Sequence, residues 1–141
     1  MFEKDTFEDR TIAWIQFRQS LENSSEPIND LCKYYNRANL YSITCNPWDR
    51  KAWPTAWELV SQNRYCCFTI MLGMCYTLCL TNRFRRQDIR ILIIKDTQTQ
   101  QTQYLTGIQK IYIGYDPVLT YIDRTKIGTN LIIQKEFAFN H

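Results

Sequence analysis

The sequence predicts an α+β domain in which N-terminal helices and a central buried helix pack on an antiparallel sheet. Three observations carry this expectation. Apolar residues recur at helical spacing through the first half of the chain. One stretch, Cys66 to Leu80, is apolar nearly all round, as a buried helix must be. Beyond Asp88 the pattern shortens to Ile- and Leu-rich runs separated by polar turns. Helices followed by strands, without alternation between them, give a sheet with its helices on one side.

Taken in order, Asp9 to Leu21 reads as the first helix, with a broad apolar face of Ile12, Trp14, Ile15, Phe17 and Leu21. Glu22-Asn23-Ser24-Ser25 ends it. Ser25 is placed to cap a second helix, with Glu26 and Pro27 in its first turn. Ile28, Leu31, Cys32 and Tyr35 then mark a buried face that ends near Ala38. Leu40 to Trp53 is irregular, because Asn46-Pro47-Trp48-Asp49 is a turn signal and Trp53 precedes Pro54. Thr55-Ala56-Trp57-Glu58 has the capping-box pattern and opens a short helix to about Gln62. Asn63 is expected to cap the long helix from Arg64 to Leu80. Ile89–Lys95 reads as a buried strand and Asp96–Gln103 as a polar loop. Gln103–Gln109 and Lys110–Tyr115 read as a hairpin, closed by Asp116-Pro117, and Asn130 to Phe139 as a last strand. The expected organisation is one domain over 1–141. Its parts are a helical section (1–40), a Trp-rich segment with a short helix (41–62), and a helix-plus-sheet core (63–139).

Composition narrows the chemistry. The chain has 141 residues, a net charge of only +3 and a single histidine, His141. So mild a charge makes nucleic acid an unlikely partner, although Arg83, Arg85, Arg86 and Arg90 form a basic stretch that a DNA-binding accessory module would use. Met1 to Asp5 lacks the basic-then-apolar pattern of a signal peptide. Cys66 to Leu80 falls short of the ~20 residues that span a bilayer, so no membrane partner is expected. The six cysteines contain no C-x-x-C, and no internal histidine can complete a mixed site. Neither a metal, nor another cofactor, nor a disulfide framework is therefore expected, and the thiols read as those of a reducing cytosol. Asp49, Glu58 and Asp116 are the carboxylates a hydrolytic pair would draw on, but no spacing brings two of them together.

Cys66 and Cys67 fall at the start of the apolar helix, where the partial positive charge of a helix N-terminus favours thiolate. A thiol at a helix start followed by an antiparallel hairpin resembles the core of transglutaminase-like proteins, within the wider papain-like fold. In that family the helix carries the nucleophilic Cys, the first strand opens with the catalytic His, and the second ends in the catalytic Asp, often before Pro. Here Ile111–Tyr115 runs into Asp116-Pro117, and the hairpin length puts Thr102 where the family has its histidine. Threonine cannot take a thiol proton near neutrality, so the resemblance implies a degenerate site of Cys66, Cys67, Thr102 and Asp116. The alternative is a cysteine hydrolase or acyltransferase using Cys66 or Cys67, with His141 folded back as its base.

A second resemblance covers more of the chain. Leu31–Leu40, Asn46-Pro47-Trp48-Asp49, the string Trp53-Pro54-Thr55-Ala56-Trp57-Glu58-Leu59 and the helix Tyr65–Leu80 look like a family of small proteins from tailed bacteriophages with contractile tails, notably those of cyanobacteria. It implies a non-enzymatic virion protein made in the bacterial host cytoplasm. Such a protein works through contacts with other virion proteins in the neck, tail or baseplate, often as a ring or other multi-copy assembly. Its expected contact residues are Trp48, Trp53 and Trp57, with Trp14 and Phe17 on the first helix, and the last strand as an edge for pairing.

Overall fold

A threonine starts the first helix. Thr6 Oγ1 accepts the Asp9 amide at 3.1 Å, and α1 runs Phe7–Glu22. The computed structural model describes residues 1–42, 45–115 and 118–139. The buried stripe of α1 is narrower than the sequence predicts. Trp14 and Leu21 are buried, while Ile12 and Ile15 face outward, and the third buried residue is Arg10. Arg10 is inside because three carbonyls need donors there. Its Nε donates to Val60 O at 2.8 Å, Nη2 to Ser61 O at 2.9 Å and Nη1 to Lys4 O at 2.9 Å. Two of these acceptors lie in the last turn of a neighbouring helix, where carbonyls have no partner within the helix.

The second helix, α2, runs Pro27–Tyr35. Its N-cap is Glu26 rather than Ser25, and no side chain caps it. Ser24 instead accepts the Glu26 amide, and Pro27 at the first position removes one of the donors a cap would satisfy. The helix stops three residues before Ala38. Asn36 closes it and its Oδ1 accepts the Leu119 amide at 2.9 Å, tying the helix to the sheet.

The short helix α3, Ala56–Gln62, has the expected capping box: Thr55 Oγ1 accepts the Glu58 amide and Glu58 Oε1 accepts the Thr55 amide. Asn63 does not cap the next helix. It ends α3 in the left-handed region, at φ 52°, and donates from Nδ2 to Phe2 O. Tyr65 is held in an extended bridge by Asn39 and Tyr41, so the central helix α4 begins only at Cys67 and runs to Cys79.

Ten of the thirteen residues of α4 are buried, in keeping with its apolar sequence. A closed polar network crosses its C-terminal half. Trp14 Nε1 donates to Thr77 Oγ1 at 3.0 Å, the Tyr35 hydroxyl lies 2.8 Å from the same oxygen, and Thr77 donates to Gly73 O at 2.8 Å. These bonds join α1, α2 and α4 with every donor matched. A Cβ at position 73 would sit 3.0 Å from the Tyr35 ring, so glycine is what lets α2 come this close.

The sheet has five strands: β1 Ile89–Asp96, β2 Thr102–Ile108, β3 Ile111–Tyr115, β4 Leu119–Tyr121 and β5 Leu131–Ala138. Their order is β4-β3-β2-β1-β5, all antiparallel. The sequence reading finds the first three and the last. It misses β4, whose three residues are too few to show a period. One face packs on α4, with Ile89, Ile91, Ile108 and Ile113 in the main core. On the other face Leu92, Ile94, Leu105 and Leu131 form a small second core, covered by Ile122 and Ile127 of the β4–β5 connection. Both faces of β1 are therefore covered, which is why its centre, Ile91–Ile94, reads as a continuous apolar run. Among the described residues, no helix is long and apolar enough to cross a membrane.

Candidate functional site

Cys66 is the N-cap of α4 and is 4% exposed, and Cys67 is the first helical residue and exposed. The Cys66 amide donates to Thr69 Oγ1 at 2.8 Å, so the helix start is closed by its own threonine. Tyr104 of β2 packs on Phe68 of α4, with ring centres 5.3 Å apart. Thr102 lies two residues before Tyr104 on the same face, at the exposed start of the strand. Asp116 and His141 lie outside the described residues. The groups that the thiols influence are other thiols and phenols. Tyr104 feels Cys66, Cys67 and Cys45, and Tyr115 feels Cys67. Sequence reasoning missed both tyrosines, which appear there only as strand residues.

Burial works against thiolate here. Desolvation, then the neighbouring Cys66, raises the Cys67 thiol above its ordinary value. Desolvation pushes Cys45 up to about 11, again with a contribution from Cys66. Burial also takes the Tyr115 phenol up to about 12, so it stays protonated near neutrality and has no basic form with which to accept a thiol proton. A thiol whose pKa is raised stays protonated at pH 7, and its reactive fraction climbs about tenfold for each pH unit until the pKa is reached. Iodoacetamide should therefore modify Cys45 and Cys67 more slowly than glutathione at pH 7. The rate should rise steadily through pH 9 when followed by peptide mass spectrometry. A fast rate independent of pH near neutrality, at Cys66 or Cys67, would mark a preformed nucleophile.

The arginines of the basic stretch are dispersed. Arg83 donates to Leu21 O at 2.8 Å and to Ser24 O, serving the C-terminal end of α1 rather than that of α4. Arg90 pairs with Glu136 at 3.0 Å and donates to Gln109 O and Tyr112 Oη. Arg85 pairs with Asp88 at 3.4 Å on the surface. Arg86 is exposed and faces elsewhere, into a groove described next.

The tryptophans also part company. Trp14 is 2% exposed and belongs to the core, which removes it from the surface set. Phe17 is half-buried, stacked on Tyr34 with centroids 3.6 Å apart. Trp53 is half-buried between Phe68 and Phe137, with its Nε1 donating to Pro47 O at 3.1 Å. Trp48 and Trp57 are about half exposed, at 50% and 49%. Trp57 rests edge-on against Trp14 and forms one wall of a groove of about 450 Å³. Trp53, Tyr76 and Phe139 complete its aromatic lining, and Arg50 and Arg86 supply its charge. Arg50, Tyr76 and Phe139 were not singled out from sequence, since they come from three distant segments. The carboxylates considered for hydrolysis have local duties: Asp49 accepts the Lys51 amide, and Glu58 closes the α3 cap. Among the described residues, no three His, Cys, Asp or Glu side chains group as metal donors would.

No family model and no curated protein matches this chain.

Proposed function

We propose that the chain is a structural protein of a tailed-phage particle, acting through contacts with other virion proteins in several copies and performing no turnover. The observation that carries a contact role is the outer edge of β5. This strand has eight residues and ends the sheet beside β1. Its ends are occupied: Gly128 donates to Leu131 O, and Arg50 donates to Ala138 O at 2.8 Å. Between them, among the described residues, no strand pairs with the outer side of Ile132 to Phe137. Ile132 and Ile133 are both about 40% exposed on that stretch. An open strand with uncovered isoleucines is a template for a neighbour's strand. The raised Cys67 thiol at the start of α4 weighs against the cysteine-hydrolase alternative. The internal partners of Arg83 and Arg90 weigh against a DNA-binding one.

The transglutaminase-like reading of the core belongs to this proposal. Its support is the placement of Cys66 at the N-cap of α4, beside a strand that opens with Thr102. The phage assignment is supported by the Trp53–Leu59 string. The test is incorporation. Ile132→Lys with Ile133→Glu changes only exposed side chains, so the variant should keep its thermal midpoint within a few degrees, as surface changes of about 0.5 kcal/mol allow. Supplied during infection, it should be lost from purified particles. Incorporation equal to that of the unchanged protein would overturn the role given to this edge.

A further inference from the structure

The groove between the Trp-rich segment, the C-terminal half of α4 and the end of β5 has a composition that the edge strand does not explain. Its walls are the rings of Trp53, Trp57, Tyr76 and Phe139, and its charged groups are Arg50 and Arg86. Among the described residues, no carboxylate lines it. Glu58 is felt electrostatically at Tyr76, but its Oε1 is held on the Thr55 amide at 3.0 Å. The Arg50 guanidinium lies 5.5 Å from the Trp53 and Phe139 ring centres, so one positive group is fixed by stacking against the aromatic lining. Arg86 is exposed at the other side. The floor is rigid, because Tyr76 donates to Pro54 O at 2.7 Å and Trp53 to Pro47 O.

We infer that this groove binds an acidic peptide segment of a partner protein, with an apolar or aromatic side chain among the rings and a neighbouring carboxylate on Arg86. The inference rests on the contact role proposed above and names the chemistry of one partner. Charge complementarity selects an anion at Arg86, the exposed charged group of the lining, while Arg50 is engaged with Ala138 O and the rings. Aromatic walls with arginine are the composition of interface anchor points. A nucleic-acid strand is the poorer fit. It needs a track of cations along its phosphates, whereas Arg83, Arg85 and Arg90 are spent on carbonyls and carboxylates of the fold.

The test uses the full chain and follows its four tryptophan indole N–H signals by NMR, assigned by single Trp→Phe variants. The probes are the acetylated, amidated hexapeptide Glu-Asp-Leu-Phe-Asp-Glu, the same peptide with Gln and Asn in place of the acids, and an oligothymidine octamer. The acidic peptide should shift the Trp57 and Trp53 signals in a saturable way. Trp14 and Trp48, which do not line the groove, should stay still. Affinity should fall about tenfold for the neutral peptide, and about fivefold for Arg86→Gln, an exposed change that leaves the fold intact; added salt should weaken it further. Equal binding of the neutral peptide, stronger binding of the octamer, or no shift with any probe at millimolar concentration would overturn the assignment. No peptide binding by a chain that is present in particles removes the groove alone. Peptide binding by a chain absent from particles removes the virion role alone.

Discussion

Replacing Arg10 with Met should lower the unfolding free energy by about 3 kcal/mol. Methionine keeps most of the apolar stem, so the loss isolates the three carbonyls of Lys4, Val60 and Ser61 that the guanidinium serves. Arg10 is 7% exposed, and a buried acceptor left without a donor costs about 1–3 kcal/mol. Relief from burying the guanidinium offsets part of that sum, which is why the expected figure is not larger. In urea the midpoint should fall while the slope stays the same, as for a pure stability change. Arg10→Lys should recover less than half, because an ammonium's three donors radiate from a single nitrogen and cannot span acceptors served by three separate nitrogens. A loss below about 1 kcal/mol would mean that water reaches those carbonyls in the variant.

Thr77→Val should cost about 2 kcal/mol, although the two side chains have nearly the same shape. The Thr77 hydroxyl accepts from Trp14 Nε1 and faces the Tyr35 hydroxyl. Without it, Tyr35 can still donate to Gly73 O, 3.1 Å away, but the indole N–H is stranded in a fully buried site. Trp14→Phe made in the Thr77→Val background should therefore cost less than Trp14→Phe made alone, by about 1 kcal/mol in a double-mutant cycle. Additive costs would show that the indole finds another acceptor. The cycle also tests the fold, since it pairs α1 with α4 across 63 residues of sequence.

These two sites show what a single sequence reveals. Trp14 and Thr77 were legible as members of apolar helical stretches, and so were the helices that hold them. Their bond was not, because nothing local says which buried donor meets which hydroxyl. Arg10 was illegible for the same reason: two of its three acceptors are 50 and 51 residues away, and period alone assigns a charged residue to solvent. The Thr55–Glu58 cap was legible because all its partners lie within four residues. Asn63 misled because asparagine suits a helix start and a left-handed helix end equally, and the extended Tyr65 bridge decides between them. The thiol pair was found at the right end of the right helix, but its tyrosine surroundings depend on strand register. The groove was least visible, since it joins side chains from the Trp-rich segment, α4 and the end of the chain.

A molecule that works, as proposed, by being held among neighbours must travel with the particle. Quantitative mass spectrometry of gradient-purified particles, set against the lysate from the same infection, tests this most directly. The chain should stay with the particles at a fixed multiple of a single-copy component. A chain abundant in the lysate and missing from the particles would contradict the proposed role.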